Sequence, residues 1–226
     1  MANSFSPFWY VLASLALALL PAVLAVFTSY LKVSIVFGLL RSALGTQHTP
    51  GPVVVMALSL ALTAYIMSPV VDQTVKQAEQ VNLEVILKDP GFRHFSKLGA
   101  LLKPWQRFLV SHSSPETVRS LLAIRSQHTA VDRNNSQAVD GSNIPVSVLL
   151  PSFVISELRE AFAMGFVLLL PFLVIDLIVA NVLVGMGMFM VSPAMISLPL
   201  KLLLFVMADG WLLLVRSLIL SYQVTT

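Results

Sequence analysis

The chain has 226 residues, 57% of them hydrophobic and 11% charged, with a net charge of +3 and a mean hydropathy of +0.85. Roughly a quarter of the residues of an ordinary soluble domain are charged, so this composition excludes one and points to an integral membrane protein or a subunit buried in a membrane assembly. The mixed signs leave no basic footprint for nucleic acid, and the absence of cysteine excludes disulfides and thiolate metal sites.

The charges are segregated: residues 72–160 hold ten of the fourteen Lys and Arg and nine of the eleven Asp and Glu. The first element, FWYVLASLALALLPAVLAVF over residues 8–27, is apolar enough for a secretory leader. Its first cation is Lys32, so the basic flank of a leader is missing and a retained helix is expected. Pro21 is expected to kink it, because the ring removes a backbone donor and meets a carbonyl one turn earlier. The apolar pattern resumes through Ile35, Val36, Phe37, Leu39 and Leu40, giving two helical pieces over residues 8–44. Gly45 with Thr49, Pro50, Gly51 and Pro52 makes a turn, and a second apolar helix follows over 53–71.

Val71, Val75, Ala78, Val81 and Val85 then recur at helical spacing as far as Asp89, Pro90 and Gly91. Phe95, Leu98, Leu102, Trp105 and Leu109 repeat the pattern, with Pro104 as an interruption. Ser114, Pro115 and Glu116 mark a helix start, with a hydroxyl cap, a proline at the first helical position and an acid in the first turn. Residues 126–147 turn polar and predict a mobile linker.

Two further apolar elements are expected over 161–184 and 197–221. Leu177 to Leu200 is a run of twenty-four uncharged residues, enough to cross a bilayer core of about 30 Å. Gly185, Gly187, Pro193 and Pro199 interrupt it, and Met186, Met188, Met190 and Met195 crowd the interruption. A lipid-facing anchor needs none of this. The expected fold is all-α: membrane-associated helical hairpins with kinked or broken apolar helices. The expected division is an apolar hairpin over 1–71, a polar, mainly helical region over 72–150 containing the linker, and an apolar hairpin over 151–226 with a Met-rich loop at 185–193. Arg41, His48 and nearby Lys32 place the 41–52 turn in the cytoplasm, with both termini and 72–150 opposite.

The search for reaction chemistry is negative. There is no phosphate-binding loop, and His48, His94, His112 and His128 never fall at helical metal-site spacing; no enzyme, cofactor or metal is expected. Ser156, Glu157, Arg159 and Glu160 read as the polar start of a long helix, with the two acids near its positive end. Asp176 in VIDLIV and Asp209 in MADGW are acids in apolar surroundings, where a carboxylate is costly. Each is either a proton or ion relay or a group paired for packing, with Lys201 and Arg216 the available cations. The segment GMGMFM, Gly185 to Met190, is either core filling or a deformable apolar gasket, since Met side chains are unbranched and polarizable and the glycines let the backbone turn. Small residues at Ser34, Gly38 and Ser42, and at Ala161 and Gly165, permit close helix contact and support an oligomer.

The stretches FTSYLKVSIVFGLLRSALGTQHTP with LTAYIMSPV, and LLPSFVISELREAFAMGFVLLLPFLVIDLIVANVLVGMGMFMVSPAMISLPLKLLLFVMADGW, resemble the export-gate family of type III secretion, the flagellar FliP and injectisome SctR proteins. The resemblance covers about residues 20–72 and 148–222. It implies a homo-pentamer, joined by the smaller S and T export-gate subunits and serving with the U and V subunits, in a helical cone through which unfolded substrates enter. It implies a place at the bacterial inner membrane, with the cone rising on the periplasmic side. It assigns the gasket to Met188, Phe189 and Met190. From the residues themselves, Gly185, Gly187 and Pro193 are the expected hinge of that loop, and Asp176, Lys201 and Asp209 the expected buried polar set, for packing or relay. Phe189 departs from the family's usual run of three methionines and stiffens the ring. A leader is usual in the flagellar branch, so the injectisome branch is favoured. The reading from another class is a self-contained proton or ion channel working through Asp176 and Asp209.

Overall fold

The computed structural model describes residues 7–45, 50–80, 102–128 and 144–223. Among them every regular element is helical: α1 (Pro7–Phe27), α2 (Tyr30–Leu44), α3 (Pro52–Gln80), α4 (Lys103–Ser111), α5 (Pro115–His128), α6 (Val146–Gly185), α7 (Pro193–Met207) and α8 (Gly210–Gln223). The expected stop at Asp89–Gly91 and most of the expected linker lie outside the described residues.

Two helices, Pro52–Glu79 and Val146–Gly185, are long and apolar enough to cross a bilayer, and α7 with α8 is a third candidate if the pair, bent by 62°, counts as one span. The expected 53–71 helix and the Val75 and Ala78 part of the stripe that follows it are one element, α3, which runs through Pro69, while Val81 and Val85 lie outside the described residues. The first apolar element is two pieces, as expected, but helix α1 runs through Pro21 and the interruption falls at Thr28 and Ser29. There the Thr28 hydroxyl accepts from the Tyr30 N–H at 3.2 Å and donates to the Leu24 carbonyl. A hydroxyl that satisfies backbone groups on both sides of a turn competes with the helix ladder.

Helix α6 corrects a second expectation. It begins at Val146, where Ile144 is already buried beside Pro145, so Glu157 and Glu160 sit three to four turns inside a 40-residue helix and not at its positive end. Likewise Pro199 lies within α7 and does not end it, whereas Pro193 is its first residue. Pro104 stands in the first turn of α4, directly after its first residue Lys103, and Pro115 opens α5 after Ser114.

Helix α2 is the centre of the molecule, touching α1, α3, α6 and α7. Val33, Val36, Phe37 and Leu40 are at most 2% exposed, four large apolar side chains that each contribute roughly 1.5–3 kcal/mol by leaving water or lipid headgroups for the core. The most extensive helix contact is α2 on α6. It is close because Ala161 is fully buried and Gly165 has no side chain: a Cβ on Gly165 would run into the Leu39 side chain. The small residues of the third apolar element therefore serve a contact inside the chain. Gly38, by contrast, faces open space.

Gly165→Val should force α2 and α6 apart, an overpacking cost of about 1–3 kcal/mol. A lowered melting temperature in detergent, partly restored by Leu39→Ala, is the expected result.

Candidate functional site

The loop between α6 and α7 is built by an unusually complete helix stop. The Met188 N–H donates to the Leu183 carbonyl at 2.9 Å and the Gly187 N–H to that of Val184 at 3.0 Å. This pair of bonds is the Schellman arrangement, which needs a left-handed residue just past the helix. Gly187 supplies it with φ of 73°, a conformation that would cost a Cβ-bearing residue roughly 1–2 kcal/mol. Ser192 in extended conformation and Pro193 then start α7.

Between these two fixed ends the side chains point outwards. Met190 is fully exposed, Phe189 78% exposed and Met188 43% exposed, with Met186 and Met195 also exposed. Of the expected hinge residues, Gly187 takes the turn, Gly185 is the last residue of α6, and Pro193 the first of α7.

About 13 Å back from the loop, by helical rise, the two helices are tied by an ion pair. Lys201 Nζ donates to Asp176 Oδ2 at 2.6 Å and to the Ala43 carbonyl at 3.1 Å. Lys201 is 6% exposed, while the Asp176 side chain is about half exposed. Ala43 belongs to the last turn of α2, where carbonyls lack helical partners and the helix dipole favours a cation. One ammonium thus joins α2, α6 and α7. Phe172 and Phe205, 6.4 Å apart, continue the α6–α7 seam. Asp209 is elsewhere. It stands exposed at the α7–α8 bend, outside any helix and with φ of 50°, so it is not part of a buried polar set.

A second cluster was not anticipated. Lys32 and Glu157 are both fully buried, with Lys32 Nζ 3.2 Å from Glu157 Oε1 and 2.6 Å from Glu160 Oε2, Glu160 being half exposed. The Tyr222 hydroxyl donates to Glu157 Oε2, and the Lys32 ammonium lies 4.0 Å from the centre of the Tyr222 ring. Phe108 stacks on Tyr222 at 6.1 Å, and His112 follows with Nδ1 2.8 Å from the Phe108 carbonyl and Nε2 3.4 Å from that of Tyr222. The Ser114 N–H donates to Ser156 Oγ at 2.8 Å. The cluster ties α2, α4, α6 and α8 together. A lysine in the first turn of an apolar helix, and an acid with no basic neighbour at i+4, were the signals that could have exposed it.

The matching family is described as the FliP family, and its profile covers residues 13–218. The chain belongs to this family of export proteins. Its relatives include the flagellar biosynthetic protein FliP of Aquifex aeolicus, 39% identical over 92% of this chain and 82% of that one. The Yop proteins translocation protein R of Yersinia pestis is 40% identical over 91% of this chain and 92% of its own length. The harpin secretion protein HrpW of Pseudomonas syringae pv. syringae is 37% identical over 92% and 97%. The chain spans about half the length of the FliP of Buchnera aphidicola subsp. Acyrthosiphon pisum, at 41% identity.

Lys32→Met should leave the Glu157 carboxylate buried without its cation, at a cost of roughly 3–5 kcal/mol. Adding Glu157→Leu should recover most of the loss in chemical denaturation, since an apolar pair of similar volume needs no compensation. The second expectation concerns pH. Burial holds the His112 imidazole below its ordinary 6.5, outweighing the Phe108 and Tyr222 carbonyls. A lowered histidine pKa contributes stability above that ordinary value and loses it as pH falls through the folded one. On the acid side of about pH 6.5 the unsubstituted protein should therefore lose more melting temperature, or gain less, than His112→Gln.

Proposed function

We propose that this chain is a core subunit of the type III secretion export apparatus and that its 186–192 loop is the gasket of the protein-conducting pore. Its similarity is as high to a flagellar member, 39%, as to a Yop translocation member, 40%, so it shares what the two branches have in common, the export of proteins. Copies assemble as a homo-oligomer, a pentamer in this reading, with the S and T subunits and with U and V beside them. The assembly sits in the bacterial inner membrane and rises on the periplasmic side.

The observation that carries the gasket is Met190, an apolar side chain left wholly exposed on a turn whose two ends are fixed. Soluble surfaces rarely hold Met, Phe and Met in such a group, and contiguous exposed apolar side chains mark contacts. Several copies of Met188, Phe189 and Met190 around an axis would close on one another and exclude ions. An unfolded chain would push them aside, because thioether side chains rearrange at small cost. Gly187 sets the direction of the loop, and the Asp176–Lys201 pair braces the helices that carry it.

The channel reading through Asp176 and Asp209 finds less support. Asp176 has its cation at 2.6 Å, which suits packing better than proton transfer, and Asp209 is separated from it at the bend. In planar bilayers, the complex carrying Met188→Ala and Met190→Ala should conduct ions with its native mass unchanged. A conductance equal to that of the unsubstituted complex would remove the gasket.

A further inference from the structure

The apolar carboxy-terminal part of the chain, from Ala161 to Tyr222, carries four charges: Asp176, Lys201, Asp209 and Arg216. The first two satisfy each other. The remaining two are of opposite sign, both exposed, and among the described residues neither has an ion-pair or side-chain hydrogen-bond partner. They cannot meet within the chain, because seven residues of helix separate them by about 10 Å along the axis and the side chains that meet on a helix are three or four apart.

The way Asp209 is presented is specific. Its φ of 50° belongs to the left-handed region, which Gly or Asn would occupy at lower cost. The bend around it is held firmly. Asp209 N–H donates to the Val206 carbonyl and the Asp209 carbonyl accepts from Leu213 N–H, both at 3.1 Å. Gly210 lies so close to the Phe205 ring that a Cβ would overlap it, and Trp211 meets Phe205 edge-on at 5.3 Å. This corner fixes an exposed acid beside the exposed side chains of Met207, Leu212 and Leu213. On α8, Leu214, Leu218 and Tyr222 face the core, while Leu212, Leu213, Arg216 and Leu220 form the outward stripe. One stripe thus has an acid at its start and a cation in its middle, with apolar side chains between. Unpaired charges in such surroundings are costly.

We propose that Asp209 of one copy pairs with Arg216 of the next copy around the ring, making the α7–α8 corner a head-to-tail contact between identical subunits. An acid at one place and a cation at another on the same surface suit a heterologous interface, which closes into a ring when the rotation allows. This rests on the homo-oligomer proposed above. Charge complementarity selects a second copy over lipid, since a lipid tail offers neither charge.

The test uses the whole assembly made with its neighbouring membrane subunits. The chain has no cysteine, so Asp209→Cys and Arg216→Cys each introduce a unique thiol. Differently tagged single-Cys chains, co-expressed and treated with a short bismaleimide, should give a crosslinked dimer carrying both tags, while either chain alone stays single. Asp209→Asn, which tolerates the left-handed backbone, and Arg216→Gln should each lower the multi-copy fraction several-fold, and Asp209→Arg with Arg216→Asp should recover it. A multi-copy native mass without the mixed crosslink, or with equal fractions in all variants, overturns the pairing. A single-copy native mass in the unsubstituted protein overturns the oligomer itself.

Discussion

The contact on which the fold depends is the buried ammonium of Lys32. Taking it and the Glu157 carboxylate out of water costs several kcal/mol for each ion, a cost that Coulomb attraction offsets only where geometry is good and the remaining valences are filled. Here Glu160, the Tyr222 hydroxyl and the face of the Tyr222 ring fill part of them, while Glu157 Oε1 has the Lys32 ammonium at 3.2 Å but no hydrogen bond. Such a pair contributes little net stability compared with apolar side chains of the same volume. What it supplies is registry: α2, α6 and α8 can reach full burial together only in the one arrangement that brings these three side chains to a point. Helix α4 joins by stacking Phe108 on the same tyrosine.

A second lysine works at the opposite end of α2. Lys201 donates to the Ala43 carbonyl in its last turn, as Lys32 stands in its first. The helix is therefore clamped at both ends by ammonium groups, one from its own sequence and one from α7. Between the clamps it packs through Leu39 on Gly165 and through Phe37 towards Trp211, 6.3 Å away. The consequence for the exposed methionine loop is mechanical. The loop is carried by two helices that share their cation with α2, so a force on the loop is passed to the centre of the molecule and not absorbed by a slack hairpin.

The helical class, the break at 185–193 and the start of α5 were legible because Gly and Pro punctuate them locally. Gly187 and Pro193 were expected to interrupt the apolar run, and they do so as a left-handed turn and as the first residue of α7, four residues before the expected start at 197. Pro199 was misleading for the same reason: it removes one backbone donor, a loss that an apolar helix fixed elsewhere can bear. In α7 the burial of Ser197 and Lys201 on either side of the exposed Pro199 does the fixing. The turn at Thr28 depends on a hydroxyl, which carries no such mark. Lys201 was one of two cations considered for Asp176, because both residues stand out from uncharged sequence and flank the same break, but the choice between Lys201 and Arg216 stayed open until the structure paired Asp176 with Lys201. Lys32 and the acids of α6 were not, since Lys32 and Glu160 lie 128 residues apart and no local period connects them. The acids were read from their neighbours in sequence, as a helix start, when their meaning lay in a helix already threaded past them.

That separation has a consequence for how the protein is made. Lys32 is synthesised long before Glu160, and Tyr222 follows Glu157 by a further 65 residues. During translation the first apolar helices emerge with an ammonium whose carboxylate partners are not yet made, and a charge in apolar surroundings is costly until it finds one. Until then the long lysine stem lets the head remain hydrated while the rest of α2 is covered. Helix α2 therefore reaches its full burial late, when the carboxylates and the tyrosine arrive. The amino-terminal half of this subunit folds provisionally, and the carboxy-terminal half completes it.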